Sequence, residues 1–305
     1  MKRRRLDWAT LQGIDLEYDV RGVGEPVVLV PAGCCADWFE PLLEESALTD
    51  RYRVVNYHRI GYAGSSRLAG RLSIEEQAGH CRSLMHHLGI ERAHLVGHSS
   101  GAMIALQLAL DDPDMVQTLA LLESARPAKL SETETEFVRA VAQPTLQRYG
   151  AGDKAGAIDT WMQAVCGPDY RAVLEQAIPG AFEQAVADAD TFLGQGLPAV
   201  RECSFSREDA SSIAQPVLAV LGAKTGEVAA TFGERRELLL DWLPKVEAFD
   251  LPDATHLLHV QNPRGMAEAL AAFFARHPIL ASGGSWSPKG MEEERLHGSW
   301  SPSPL

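Results

Sequence analysis

Excess positive charge is what this chain most plainly lacks. Its 28 lysines and arginines stand against 41 aspartates and glutamates, a formal net charge of −13. Such a balance excludes a nucleic-acid binder or an anionic-membrane binder, because both need clustered cations. Long apolar runs are also missing, and no stretch approaches the roughly 20 residues needed to cross a bilayer. The basic start, MKRRR, is followed by Asp7, Gln12 and Asp15 rather than by an apolar run, so it reads as a solvated arm and not as a secretory signal. The five cysteines, Cys34, Cys35, Cys81, Cys166 and Cys203, are scattered and odd in number. They make neither a disulfide framework nor a metal-binding pair, and free thiols in a reducing cytoplasm are the expectation. The histidines show no metal-ligand spacing either. No metal and no cofactor are expected. The expected partner is a small-molecule substrate, with no nucleic acid and no membrane, and no motif encodes an oligomeric state.

What is present is a rhythm of strands and helices. Residues 8–11 and 14–20 alternate polar and apolar side chains across a Gly13 turn, as paired strands do. Residues 26–30 are an unbroken apolar run, the mark of a strand covered on both faces. Further strands are expected over 53–57, 94–96, 116–122, 216–221 and 246–250. Helices are expected over 39–48, from the N-cap Ser73 with Glu76 three residues on to Leu88, from Ser100 to Asp112, over 232–242 and over 263–275. The pattern predicts an α/β fold, a mostly parallel central sheet with helices on both faces.

Between Ser124 and about Ser212 the rhythm breaks. Helical periodicity runs over 136–142, 154–165, 170–178 and 181–192, punctuated by Pro144, Gly167-Pro168, Pro179-Gly180 and Pro198. We read residues 124–212 as an inserted all-helical cap over a core built from 1–123 and 213–278. Trp161, Met162, Phe182 and Phe192 of the cap, with Trp38 of the core, are candidate pocket walls. Residues 279–305 collapse into Gly, Ser and Pro, with GSWSP at 284 and again at 298, and are expected to form a disordered tail.

The chemistry centres on Gly97-His98-Ser99-Ser100-Gly101, a G-x-S-x-G turn between an apolar strand and an apolar helix. That context presents Ser99 at a sharp corner, as a nucleophile elbow does. A serine hydroxyl is nearly inert at neutral pH and needs a base. His256, in the loop after the last strand, is the candidate, and His259 is its nearest rival. Only a neutral imidazole can accept the serine proton, so activity is expected to fall in acid. The base needs a carboxylate on its far nitrogen. The usual place for it is the loop after 216–221, where Thr225 stands and cannot carry the charge. Glu123 is the first choice, because it ends a central strand at the same sheet edge as Ser99, and Glu227 is the alternative. Asp253 reads as a turn residue. Backbone N–H groups of Ser100 and Cys34 are the expected oxyanion donors, so the Cys34 thiol itself need not react.

Over roughly residues 8–278 the chain resembles the α/β-hydrolase family. The resemblance rests on the Gly33 loop with Trp38 after it, on His58-Arg59-Ile60-Gly61-Tyr62-Ala63-Gly64-Ser65, on the elbow, and on Thr255-His256 followed by Gln261-Asn262-Pro263. The family's usual His-Gly at the first of these is Ala32-Gly33 here. A glutamate after the sixth strand is similar to the triad acid of some haloalkane dehalogenases, but those enzymes use an aspartate nucleophile. Ser99 argues for acyl chemistry instead. The resemblance implies a cofactor-independent serine hydrolase, esterase-like, cleaving a small ester, lactone or related acyl or carbon–carbon bond. The alternatives are a ligand-binding or signalling homologue with little turnover, motivated by Thr225, and a lyase or cofactor-free oxygenase on the same scaffold.

Overall fold

The computed structural model describes residues 6–125 and 131–280. Both GSWSP copies, and all but the first two residues of the expected tail, lie outside the described residues. Eight strands are β1 (Asp7–Leu11), β2 (Ile14–Arg21), β3 (Glu25–Val30), β4 (Tyr52–Tyr57), β5 (Ala93–His98), β6 (Val116–Leu122), β7 (Val217–Gly222) and β8 (Val246–Leu251). They form one sheet in the order β1-β2-β4-β3-β5-β6-β7-β8. β2 runs antiparallel to β1 and β4, and the remaining neighbours are parallel.

The apolar run of β3 behaves as its composition requires. Val27 and Leu29 join the core on one face, Val28 and Val30 the core on the other, and all four are fully buried. The helix Ser100–Asp111 is apolar around most of its circumference and correspondingly buries Gly101 to Leu106 without interruption. The helix Ile74–His87 starts in a complete capping box. Ser73 Oγ accepts from Glu76 N–H, and the Glu76 carboxylate accepts from Ser73 N–H.

Topology and register then place one edge of the sheet. The chain turns from β3 to β4 in one direction and from β5 to β6 in the other, so the order reverses between β3 and β5. The crevice outside the carboxyl ends of strands at such a reversal is where open α/β sheets bind ligands. His98 pairs in register with Leu122, so the next residues, Ser99 and Glu123, leave adjacent strands at the same level.

Helices fill the span between β6 and β7. Pro144 and Pro198 do not break these helices as expected. Each follows a wider π-helical turn, Val138–Ala142 and Phe192–Gly196, and the helix continues as Gln143–Gly150 and Leu197–Glu202. A proline removes one backbone donor and crowds the carbonyl four residues earlier. For both prolines that carbonyl lies inside the π turn, whose looser winding absorbs the conflict.

The segment after β4 is tied to β2. His58 N–H donates to Glu17 O at 2.9 Å, Glu17 N–H donates to Ser65 Oγ at 3.0 Å, and Ser66 N–H donates to Asp15 O at 2.8 Å. The buried His58 ring lies 2.9 Å from Glu17 at Nδ1 and 2.9 Å from Asp37 at Nε2. The His58 hydrogen bond, with the Gly64 N–H, holds the Glu17 carboxyl below its usual range against the opposing effect of burial. Glu17 therefore titrates lower in the folded chain than in the unfolded one. Its stabilisation is complete above the ordinary carboxylate range and is lost as the pH falls through the lowered value. Urea midpoints followed from pH 6 down to pH 3, the span that brackets carboxylate titration, are expected to fall more steeply for the wild type than for Glu17→Gln.

Candidate active site

Ser99 sits between β5 and the helix Ser100–Asp111 with φ 54° and ψ −115°, a strained backbone for a residue with a side chain. The two elbow glycines make the corner possible. A Cβ on Gly101 would lie 2.1 Å from Val30 O, and one on Gly97 2.5 Å from Ala102 Cα. Hydrogen bonds from Ser99 N–H to Leu122 O and from Ala125 N–H to Ser99 O fasten the corner to the end of β6.

Glu123 follows directly, with φ 45° and only 2% of its surface exposed. Its carboxylate is fully engaged. Oε1 accepts from Gly222 N–H at 2.7 Å and from the Thr225 hydroxyl at 2.5 Å, while Oε2 lies 2.6 Å from His256 Nδ1. Thr225 thus serves as a donor to the Glu123 carboxylate. Glu227 is exposed. Asp253 forms a surface ion pair with Lys224 at 2.9 Å in a turn with φ 58°.

His256 is buried, and its ring stacks on Phe232 with centroids 4.1 Å apart. Its carbonyl accepts from His98 Nε2 at 3.1 Å. His98 is completely buried, and burial with two histidine neighbours pushes its pKa well below the ordinary range, which keeps the ring neutral and its Nε2–H a donor. His259 is likewise pushed down, to about 3, by burial, and stacks on Phe39 with centroids 4.4 Å apart. It is a packing residue away from the Glu123 contact.

On the other side of the reversal, Cys34 follows β3 with φ 77°. Its loop is held by Trp38 Nε1–H donating to Gly33 O at 2.7 Å and by Gly33 N–H donating to Ser100 Oγ at 3.0 Å. The Cys35 thiol is pushed well up by its contact with Cys34 and by burial, so it stays protonated.

These elements surround a cavity of about 340 Å³, a size suited to a small ligand. Ser99, Ser100, Cys34, His256, Trp38, Trp161 and Met162 all line it. Phe182 does not belong to the wall, contrary to expectation. It is buried within the helical insertion under the Arg171 guanidinium, 3.8 Å from the ring centroid. Phe192 takes that place, packed edge-on against Trp161 with centroids 5.5 Å apart. Both π-helical turns contribute walls, through Val138, Ala142, Phe192 and Gly196. Arg59, within the His58–Ser65 motif, lines the cavity too. Among the described residues, no group of three or more His, Cys, Asp or Glu side chains could hold a metal ion, and no helix is long and apolar enough to cross a membrane.

A model of the family described as "alpha/beta hydrolase fold" matches residues 25–157. The chain is 35% identical over 109 residues to "Putative carbamate hydrolase RutD" of Azorhizobium caulinodans, covering 35% of this chain and 40% of that protein. It is 33% identical over 193 residues to the "Dihydrolipoyllysine-residue acetyltransferase component of acetoin cleaving system" of Cupriavidus necator, covering 62% of this chain and 49% of that one. The chain thus spans less than two thirds of the length of these curated relatives. Among solved structures, the enol-lactonase from Burkholderia xenovorans LB400 superposes with a TM-score of 0.75 at 20% identity, covering 88% of this chain and all of that one.

Two substitutions separate the carboxylate's roles. Thr225→Val removes one of three donors to a buried charge and is expected to cost about 1–3 kcal/mol in urea unfolding. Glu227→Gln, on the surface, is expected to stay within about 0.5 kcal/mol of wild type in the same assay.

Proposed function

Because the chain belongs to the α/β-hydrolase fold family, we propose that it is a cofactor-independent serine hydrolase acting on a small ester, lactone or related acyl or carbon–carbon bond. The observation that carries this reading is the 2.6 Å contact between Glu123 Oε2 and His256 Nδ1, with His256 and Ser99 lining one cavity. Relatives named as a carbamate hydrolase and an enol-lactonase support it.

In this mechanism His256 Nε2, the ring nitrogen that Glu123 leaves free, takes the Ser99 proton as Oγ attacks the substrate carbonyl. Glu123 fixes the tautomer and stabilises the imidazolium that forms. The oxyanion is received by Cys34 N–H and Ser100 N–H, and at the second of these the positive end of the helix Ser100–Asp111 adds to the field. Collapse of the tetrahedral species returns the proton to the leaving group and leaves an acyl group on Ser99. Water, activated by the same imidazole, then releases it. A homologue without turnover was motivated by the absence of an acid at Thr225, and the carboxylate that Glu123 brings to His256 removes that motive.

A fluorophosphonate probe is expected to label the wild-type chain at Ser99. Ser99→Ala should lose both the labelling and the hydrolysis of nitrophenyl esters, and persistent turnover in that variant would remove Ser99 from the mechanism. Glu123→Gln should lower kcat by about 10²- to 10⁴-fold through loss of the correct imidazole tautomer. Glu227→Gln should remain within roughly twofold of wild type, as a surface substitution away from the site.

A further inference from the structure

Arg59 is a buried cation without a counter-charge. It is 4% exposed and lines the same cavity as Ser99. Its Nη1 donates to Ser100 Oγ at 3.2 Å and its Nη2 to the Tyr62 hydroxyl at 3.3 Å. Its Nε is buried without any hydrogen-bond partner. Among the described residues no carboxylate forms an ion pair with it. The nearby acids are committed elsewhere: Glu123 to His256, Glu17 and Asp37 to His58, and Asp188 to Arg67. Of the other charged groups lining the cavity, Glu134 is paired with Arg235 at 2.8 Å, and Arg201 is exposed. A chain of net charge −13 therefore keeps a cationic pocket.

Charged side chains are buried when something pairs with them, because desolvation otherwise costs several kcal/mol. Two hydroxyls and the face of the Tyr62 ring, 5.1 Å from the guanidinium carbon, are poor compensation for a guanidinium, which presents a planar fork matched to a carboxylate. We propose that the missing partner is the substrate, and that Arg59 anchors a carboxylate borne on the acyl half, a few bonds from the reacting carbonyl. This deepens the hydrolase reading and rests on it. The location follows from the Ser100 contact: the guanidinium bonds the side chain of the residue directly after Ser99, whose own N–H faces the developing oxyanion in that reading. The substrate class is then the half-esters or lactones of dicarboxylic and oxo acids, with the apolar walls of Trp161, Met162 and Phe192 left for the carbon chain.

The test compares monoethyl succinate with ethyl succinamate, which have the same shape and the same leaving group and differ in one charge. The wild type is expected to favour the anion at least about tenfold in kcat/KM, as a charge-assisted bidentate contact predicts. Arg59→Gln should reduce that preference by about ten- to a hundredfold, and Arg59→Lys should restore part of it. An equal loss for both esters would mean that Arg59 acts only through the Ser100 hydroxyl, and would overturn the proposal. So would an unchanged ratio. Calorimetry on the wild-type chain gives a second arm that needs no turnover. Glutarate should bind at least about tenfold more tightly than glutaramide. Equal binding of the two would also overturn the proposal, whatever variants fold. If no ester is hydrolysed and Ser99 is not labelled, the hydrolase reading fails, and the glutarate titration of wild type against Arg59→Gln still decides whether Arg59 receives a carboxylate.

Discussion

The hydrogen bond between Glu123 and His256 is the constraint from which the rest of the site follows. It joins the end of β6 to the loop after β8 across the intervening β7, over 133 positions of sequence. A carboxylate this deeply buried is tolerable only with its acceptors filled. The protein fills them with one N–H from the end of β7, one hydroxyl from the turn beyond it, and the imidazole. The first two donors come from the end of β7 and the turn that continues it, the third from the loop after β8, so the carboxylate ties both segments to the end of β6. His256 is held from its other side as well, by the His98 donor to its carbonyl and by the Phe232 ring beneath it. The imidazole therefore has little freedom left, which is what a base acting on a short-lived geometry needs.

That arrangement is carried by backbone strain in three adjacent places. Cys34, Ser99 and Glu123 each follow directly, or within a short loop, the carboxyl ends of β3, β5 and β6, and all three have positive φ. A side-chain-bearing residue there costs about 1–3 kcal/mol. The three strands are neighbours in the sheet and are paired in parallel register up to Val30, Gly97 and Leu121. The rigidity of that ladder is what holds the strained residues in place. In return, the sharp exits bring Ser99 and Cys34 to the cavity wall and set the Glu123 carboxylate against His256.

Features that depend on local spacing were legible in the sequence. The buried run of β3, the Ser73–Glu76 cap, the glycine-flanked corner and the all-apolar helix behind it each declare themselves within a dozen residues, and each is found where its pattern put it. Glu123 was reachable too, because a residue that ends a central strand must lie at the sheet's edge. What depends on the placement of distant segments was not legible. Nothing local distinguishes Phe182, which is sealed inside the insertion, from Phe192, which reaches the cavity on a π-helical turn. Pro144 and Pro198 carry the signature of a helix break, and only the wide turn preceding each one lets the helix pass. Thr225 looked like a vacancy, because a hydroxyl reads as a missing charge until the carboxylate it supports is seen beside it. Arg59 lay in a recognised motif, but whether a guanidinium is paired is a property of the folded neighbourhood and not of the motif.

The residues proposed to be catalytic and the cavity walls therefore answer different questions. In the proposed mechanism the grouping of Ser99, His256 and Glu123 limits the reaction to what a nucleophile and a base can do at an electrophilic carbon, and many substrates satisfy it. The apolar walls discriminate weakly, since one methylene more or less is worth only about 1–3 kcal/mol. An unsatisfied polar group discriminates far more strongly, because a ligand that cannot complete it leaves the desolvation cost standing. On the proposed reading the polar group of that kind is the Arg59 guanidinium, carried by a segment fastened through His58 and Ser65 to β2 and joined to the elbow through the Ser100 hydroxyl. The proposed reaction and its proposed selectivity thus rest on different segments of the chain that meet at the Ser100 hydroxyl.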